Sequence, residues 1–101
     1  MIKIIMNKKY DTDTATKVGE YYSSECLTDF NYYEETLYRK RNGEFFTYGF
    51  GGPLTKYAKH CGNETFSGAK IIPLSIEEAK EWVELYLEGE KYIEIFGDVE
   101  E

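Results

Sequence analysis

The sequence predicts an α+β fold: a small antiparallel sheet built around a central hairpin, with one principal C-terminal helix packed on one of its faces. Three observations carry that expectation. Arg41-Asn42-Gly43-Glu44 separates two aromatic-rich runs, and Asn-Gly supplies the positive φ angles that a tight hairpin turn requires. Ser75-Ile76-Glu77-Glu78 reads as a capping box ahead of apolar residues at helical spacing. Finally, 101 residues that are 42% hydrophobic and 17% aromatic can fill one core, so a single globular domain over 1–101 is expected.

The elements follow in chain order. Ile2 to Met6 reads as a strand, with Asn7-Lys8-Lys9 as a turn and Tyr10 beginning a short return. Asp11-Thr12-Asp13-Thr14 is rich in capping side chains, and Ala15, Val18 and Tyr22 then recur at spacings of three and four, which predicts a short helix over Ala15 to Tyr22. Gly19 weakens that helix by about 1 kcal/mol relative to alanine. With Asn42 and Gly43 as a two-residue loop, the hairpin pairs run 41/44, 40/45, 39/46, 38/47 and onward to 35/50. Tyr33, Leu37, Phe46, Tyr48 and Phe50 then share the core face, with Glu35 and Arg39 nearer its margins. Glu34, Thr36, Tyr38, Lys40, Phe45 and Thr47 share the solvated face.

Gly49, Gly51, Gly52 and Pro53 end the hairpin, and Leu54 to His60 is expected to make a turn of helix before a polar loop at Gly62-Asn63-Glu64-Thr65. Lys70 to Leu74 is a short strand whose Pro73 suggests an edge or a terminus. Ser75 to Leu87 is the principal helix, with Ile76, Ala79, Val83 and Tyr86 or Leu87 along one stripe, Trp82 at its flank and Gly89 as a stop. Lys91 to Phe96 fits a strand and a helical turn equally.

Charge is distributed unevenly. The net charge of -7 divides into ten bases and nine acids up to Leu74, then two bases and ten acids in the last 27 residues. Such a C-terminal quarter repels nucleic acid and anionic membrane and attracts a basic surface. No apolar run reaches the roughly 18 residues of a membrane span, and Met1 to Met6 is too short for a signal peptide, so a cytoplasmic protein is expected. Cys26 and Cys61 are too few to staple a secreted scaffold and would stay reduced in the cytoplasm.

Several motifs invite chemistry and fall short of it. His60 and Cys61 have the residue types of a thiolate nucleophile, but sequence neighbours rarely face each other and no orienting partner stands near. A zinc site from Cys26, His60 and Cys61 lacks paired-ligand spacing. Asp11-Thr12-Asp13 resembles the start of a calcium loop, yet Thr16 and Tyr22 stand where that loop needs glycine and glutamate, so these residues read as helix caps. Gly49 to Pro53 lacks the Gly-Lys-Ser/Thr of a phosphate loop. Asn63-Glu64-Thr65 is a glycosylation acceptor that stays silent without secretion. No enzyme, cofactor or metal is expected.

The acidic helix is more informative. Glu77, Glu81, Glu84 and Glu88 follow spacings of four, three and four, which lines them on one face over roughly 16 Å. One DNA strand presents a charge about every 3.4 Å, so this density suits a DNA mimic that competes for a basic nucleic-acid channel. The ten tyrosines and six phenylalanines offer contact area, with Tyr38 and Phe45 on the expected solvated face.

Tyr10-Asp11-Thr12-Asp13-Thr14-Ala15, Glu35-Thr36-Leu37-Tyr38, Gly51-Gly52-Pro53-Leu54, Lys70-Ile71-Ile72-Pro73-Leu74 and Glu94-Ile95-Phe96-Gly97 together resemble small proteins carried by plasmids, phages and integrated elements of Gram-positive bacteria. The likeness covers most of the chain and carries no catalytic motif. Proteins of this size and origin include CRISPR nuclease inhibitors, so the resemblance implies an anti-CRISPR or related anti-defence role. The expected function is a non-enzymatic inhibitor from a mobile genetic element. It would bind a protein with a basic surface, a CRISPR nuclease among the candidates, through Glu77, Glu81, Glu84, Glu88, Tyr38 and Phe45. The alternative is a regulatory or structural protein-interaction module of such an element without nucleic-acid mimicry.

Overall fold

A computed structural model describes residues 1–23 and 29–101. Cys26, one of the candidate zinc ligands, lies outside the described residues. Eight strands and two helices follow one another: β1 (Ile2–Ile5), β2 (Lys8–Asp11), β3 (Thr16–Tyr22), β4 (Tyr33–Arg39), β5 (Phe45–Gly51), β6 (Lys59–Cys61), β7 (Glu64–Phe66), β8 (Gly68–Leu74), α1 (Ile76–Tyr86) and α2 (Gly89–Phe96). The fold is α+β, as the hairpin and the capped helix predict. Its main sheet has four antiparallel strands in the order β3-β4-β5-β8. Pro73 lies on β8, at the edge of that order, where a missing N–H costs no ladder hydrogen bond.

The central hairpin forms with a register one residue away from the expected one. Arg39 pairs with Phe45, Tyr38 with Phe46 and Leu37 with Thr47. The loop has three residues: Gly43 N–H donates to Lys40 O at 2.9 Å, and Lys40 N–H to Glu44 O at 2.7 Å. Of the loop residues only Gly43 takes a positive φ, +93°, whereas a two-residue type I′ turn needs it at both central positions. Asn42 instead accepts from Glu44 N–H through its side chain at 3.0 Å. Because strand side chains alternate, that one-residue shift exchanges the two faces of β5. Phe45 and Thr47, expected in solvent, are buried on the helix side, and Phe46 moves to the far side.

Residues Thr16–Tyr22 form a strand in place of the expected helix. Asp11 caps a turn: its Oδ1 accepts from Asp13 N–H at 2.9 Å and its carbonyl from Ala15 N–H at 3.1 Å, which reverses the chain from β2 into β3. β-Branched and aromatic residues then favour pairing with β4 over a helix weakened by Gly19. Gly19 has a second role, since a Cβ there would stand 2.7 Å from Leu87 Cδ2, so its bareness lets the end of α1 settle on β3. Residues 54–58 form turns in place of the expected helical turn, and the Gly62-Asn63 stretch closes the β6–β7 hairpin with Gly62 at φ +63°.

Two cores sit on opposite faces of the main sheet. On one, α1 and α2 bury Leu37, Phe45, Ala79, Trp82 and Val83. On the other, the β1–β2 hairpin closes over Tyr10, Phe46 and Ile71. The α1 terminus is built as the sequence indicates: Ser75 Oγ accepts from Glu78 N–H at 3.1 Å, and Glu78 Oε1 accepts from Ser75 N–H at 2.8 Å. Gly89 opens α2 and does not merely end α1, and the tail is helical. Among the described residues, no helix is long and apolar enough to cross a membrane.

Candidate functional site

The acidic surface grows directly from the helix period. Ala79, Trp82 and Val83 face the sheet, and at about 100° per residue Glu77, Glu81 and Glu84 fall on the opposite side of α1. All three are exposed. Glu88, also exposed, stands beyond the α1 terminus as the residue preceding α2. The row is therefore three carboxylates on one helix and a fourth at the joint, not a single four-residue helix face. Among the described residues none of the four enters an ion pair. On the C-terminal helices the ion pair is Lys91 with Glu94, at 3.5 Å.

Glu77 suits the first turn of α1, but Glu81 and Glu84 oppose the helix's own electrostatics. Glu81 follows Glu77 by four residues and Glu78 by three, and precedes Glu84 by three, so it meets like charge in both directions along the helix surface. The last turn of α1 holds no basic residue to balance the negative end of the helix dipole. Packing of Trp82 and Val83 holds the helix in place, and Glu81 and Glu84 subtract from that stability.

The aromatic members of the expected site are elsewhere. Phe45 is only 2% exposed, packed 5.4 Å from the ring of Phe96 in the helix-side core, so the register shift removes it from any contact surface. Tyr38 is half-buried on the far face, stacked at 5.2 Å on Phe46 beneath the β1–β2 hairpin. The sheet thus separates Tyr38 from the glutamates. The far face has its own small concavity of about 110 Å³, lined by Glu20, Tyr22, Glu34, Thr36 and Tyr48 among others. The Glu34 carboxylate accepts from the Tyr32 hydroxyl at 2.5 Å, and that bond pushes the pKa of the Tyr32 phenol up to about 12.

One polar cluster has no counterpart among the sequence motifs. The Glu35 carboxylate is buried under α1, with Oε1 accepting from Trp82 Nε1–H at 2.8 Å and Oε2 from the Tyr57 hydroxyl at 2.5 Å, and with Lys56 Nζ 2.8 Å away. Burial first, then the bond to Glu35, drives the Tyr57 phenol well above its ordinary range. Every buried polar side-chain atom of the cluster has a partner, so it serves as a clamp between β4, the loop before β6 and α1. Its signal in the sequence is a charged residue within a core-facing stripe.

The remaining motifs are dispersed. His60 and Cys61 are consecutive on β6, where strand alternation directs them apart, and both are exposed. Asp11 lies 3.9 Å from Lys9 and serves the turn already described. No group of three His, Cys, Asp or Glu side chains among the described residues gathers to hold a metal ion. No family model matches the chain, and neither a curated protein nor a solved structure is similar to it.

Proposed function

We propose that the chain is a non-enzymatic binding protein that inhibits a basic partner by occupying its nucleic-acid channel with the acidic surface of α1 and the α1–α2 joint. The observation that carries this reading is the row Glu77, Glu81, Glu84 and Glu88, exposed and unpaired among the described residues, of which Glu81 and Glu84 lower the stability of α1. Local rules broken without a structural return are expected where a surface serves function. The resemblance to proteins of mobile elements remains an expectation from the sequence alone, and on that expectation a CRISPR nuclease is the first partner to test. Mimicry of nucleic-acid charge then explains the sign of the surface, because a channel that holds a phosphate backbone is lined by Lys and Arg.

The test is competition. A CRISPR nuclease loaded with its guide is mixed with the purified chain, and binding of labelled target DNA is measured. The proposal expects the chain to displace DNA and excess DNA to displace the chain, both effects fading as salt rises. A complex that DNA leaves intact, with an affinity insensitive to salt, contradicts mimicry and supports an interaction module of a different kind.

A further inference from the structure

The two C-terminal helices leave an apolar groove between them that the rest of the molecule does not fill. Val83, Leu87, Tyr92, Ile93 and Val99 line it together with Glu84 and Glu88, around a volume of about 370 Å³. Ile93 is 46% exposed and Val99 58%. Gly89, the first residue of α2, also lines the groove, and a Cβ there would meet nothing within 4 Å. Apolar surface at this position faces water beside the strongest charge of the molecule. From Glu84 to Glu101 there are seven acids and one lysine, Lys91, which pairs with Glu94.

We infer that this groove receives one aliphatic or aromatic side chain from a basic segment of the partner protein, with Lys or Arg residues beside that anchor meeting Glu84 and Glu88. The inference rests on the proposed function and names the chemistry of its partner. Charge complementarity selects the occupant. A second copy of the chain would bring the same carboxylates face to face, and nucleic acid or an anionic lipid surface is repelled by them. An amphipathic basic helix satisfies both the apolar and the acidic lining residues. The apolar contact supplies what a row of exposed charges lacks, since exposed ion pairs are individually weak and screened by salt.

The probe is a synthetic lysine-rich helical peptide carrying one leucine, compared with a twin in which serine replaces that leucine. Binding is measured at low salt by fluorescence anisotropy, with sedimentation of the chain alone as a companion measurement. The leucine peptide is expected to bind about tenfold or more tightly than its twin, as burial of one such side chain implies. Gly89→Leu, which fills open space, and Ile93→Ser, which strips apolar lining, should each bring the leucine peptide to the affinity of the twin while leaving the twin unchanged. If both peptides bind equally and both are lost on Glu84→Lys, the acidic-surface reading stands and the groove inference falls. If neither peptide binds, both fall. A dimer in sedimentation that Ile93→Ser dissociates assigns the groove to a second copy and overturns the inference.

Discussion

The buried Glu35 carboxylate ties β4 to the loop before β6 and to α1. It is the shared acceptor for donors on the loop and on α1, so Glu35→Ala leaves the Trp82 N–H and the Tyr57 O–H buried without it. The expected cost is about 2–4 kcal/mol, read as a fall in the urea midpoint together with a red shift of Trp82, the protein's one tryptophan. Glu35→Gln keeps the shape and one acceptor and should cost less. The sequence placed Glu35 on the core side of β4 but could not show the clamp, because its partners lie 22 and 47 residues away. Glu44 provides a second test. Hydrogen bonds from Lys8 first, then Lys40 and Asn42, hold its carboxyl well below the usual range, at about 2. The charged form is therefore favoured in the folded state. Its contribution is present above the ordinary carboxylate range and is lost as pH falls through about 2. An NMR titration should find the Glu44 midpoint near that value, and Lys8→Ala should move it upward.

At the scale of elements, the differences between expectation and structure have specific causes. The hairpin was legible in Asn42-Gly43, but the loop length was not, since the same dipeptide serves two-residue and three-residue turns. One residue of register then sent Phe45 inward and Phe46 to the other core. The capping box placed α1 almost to the residue because its signal is local. The strand at β3 was missed because spacings of three and four occur by chance in the eight residues from Ala15 to Tyr22, and pairing with β4 overrides them. Two substitutions test the packing and charge arguments. At Gly49 a Cβ would collide with the Glu34 carbonyl and lie 2.7 Å from Tyr57 Cζ, so Gly49→Ala should destabilise by about 2 kcal/mol or more, seen in chemical denaturation. Glu81→Lys replaces three like-charge neighbours by attractive ones and should raise Tm by about 2–6 °C. The same change should weaken partner binding, so stability and function move in opposite directions at this position.

At the scale of the whole molecule, the radius of gyration of 14.7 Å exceeds the roughly 13 Å usual for a compact chain of about 100 residues. One sheet carries two separate cores, and broad surfaces remain open on both sides. The net charge of -7 is concentrated on the helical side, and a count of acids and bases along the chain is enough to locate it there. Glu77, Glu81 and Glu84 share the outer face of α1 as their spacing indicates, whereas Glu88, expected on the same face, lies beyond the helix end. Tyr38 was assigned to the correct strand, but the two-sided layering that separates it from the glutamates depends on the β1–β2 hairpin folding back over the sheet. The central claim is that the acidic row is the binding surface. Its most direct test compares the wild-type chain with the Glu77→Lys, Glu81→Lys, Glu84→Lys, Glu88→Lys variant in binding to a partner whose nucleic-acid channel is basic, with circular dichroism and Tm confirming that both are folded. The account predicts loss of binding in the folded variant and, for the wild type, affinity that falls steeply with salt. A folded variant that binds and inhibits as well as the wild type would contradict it.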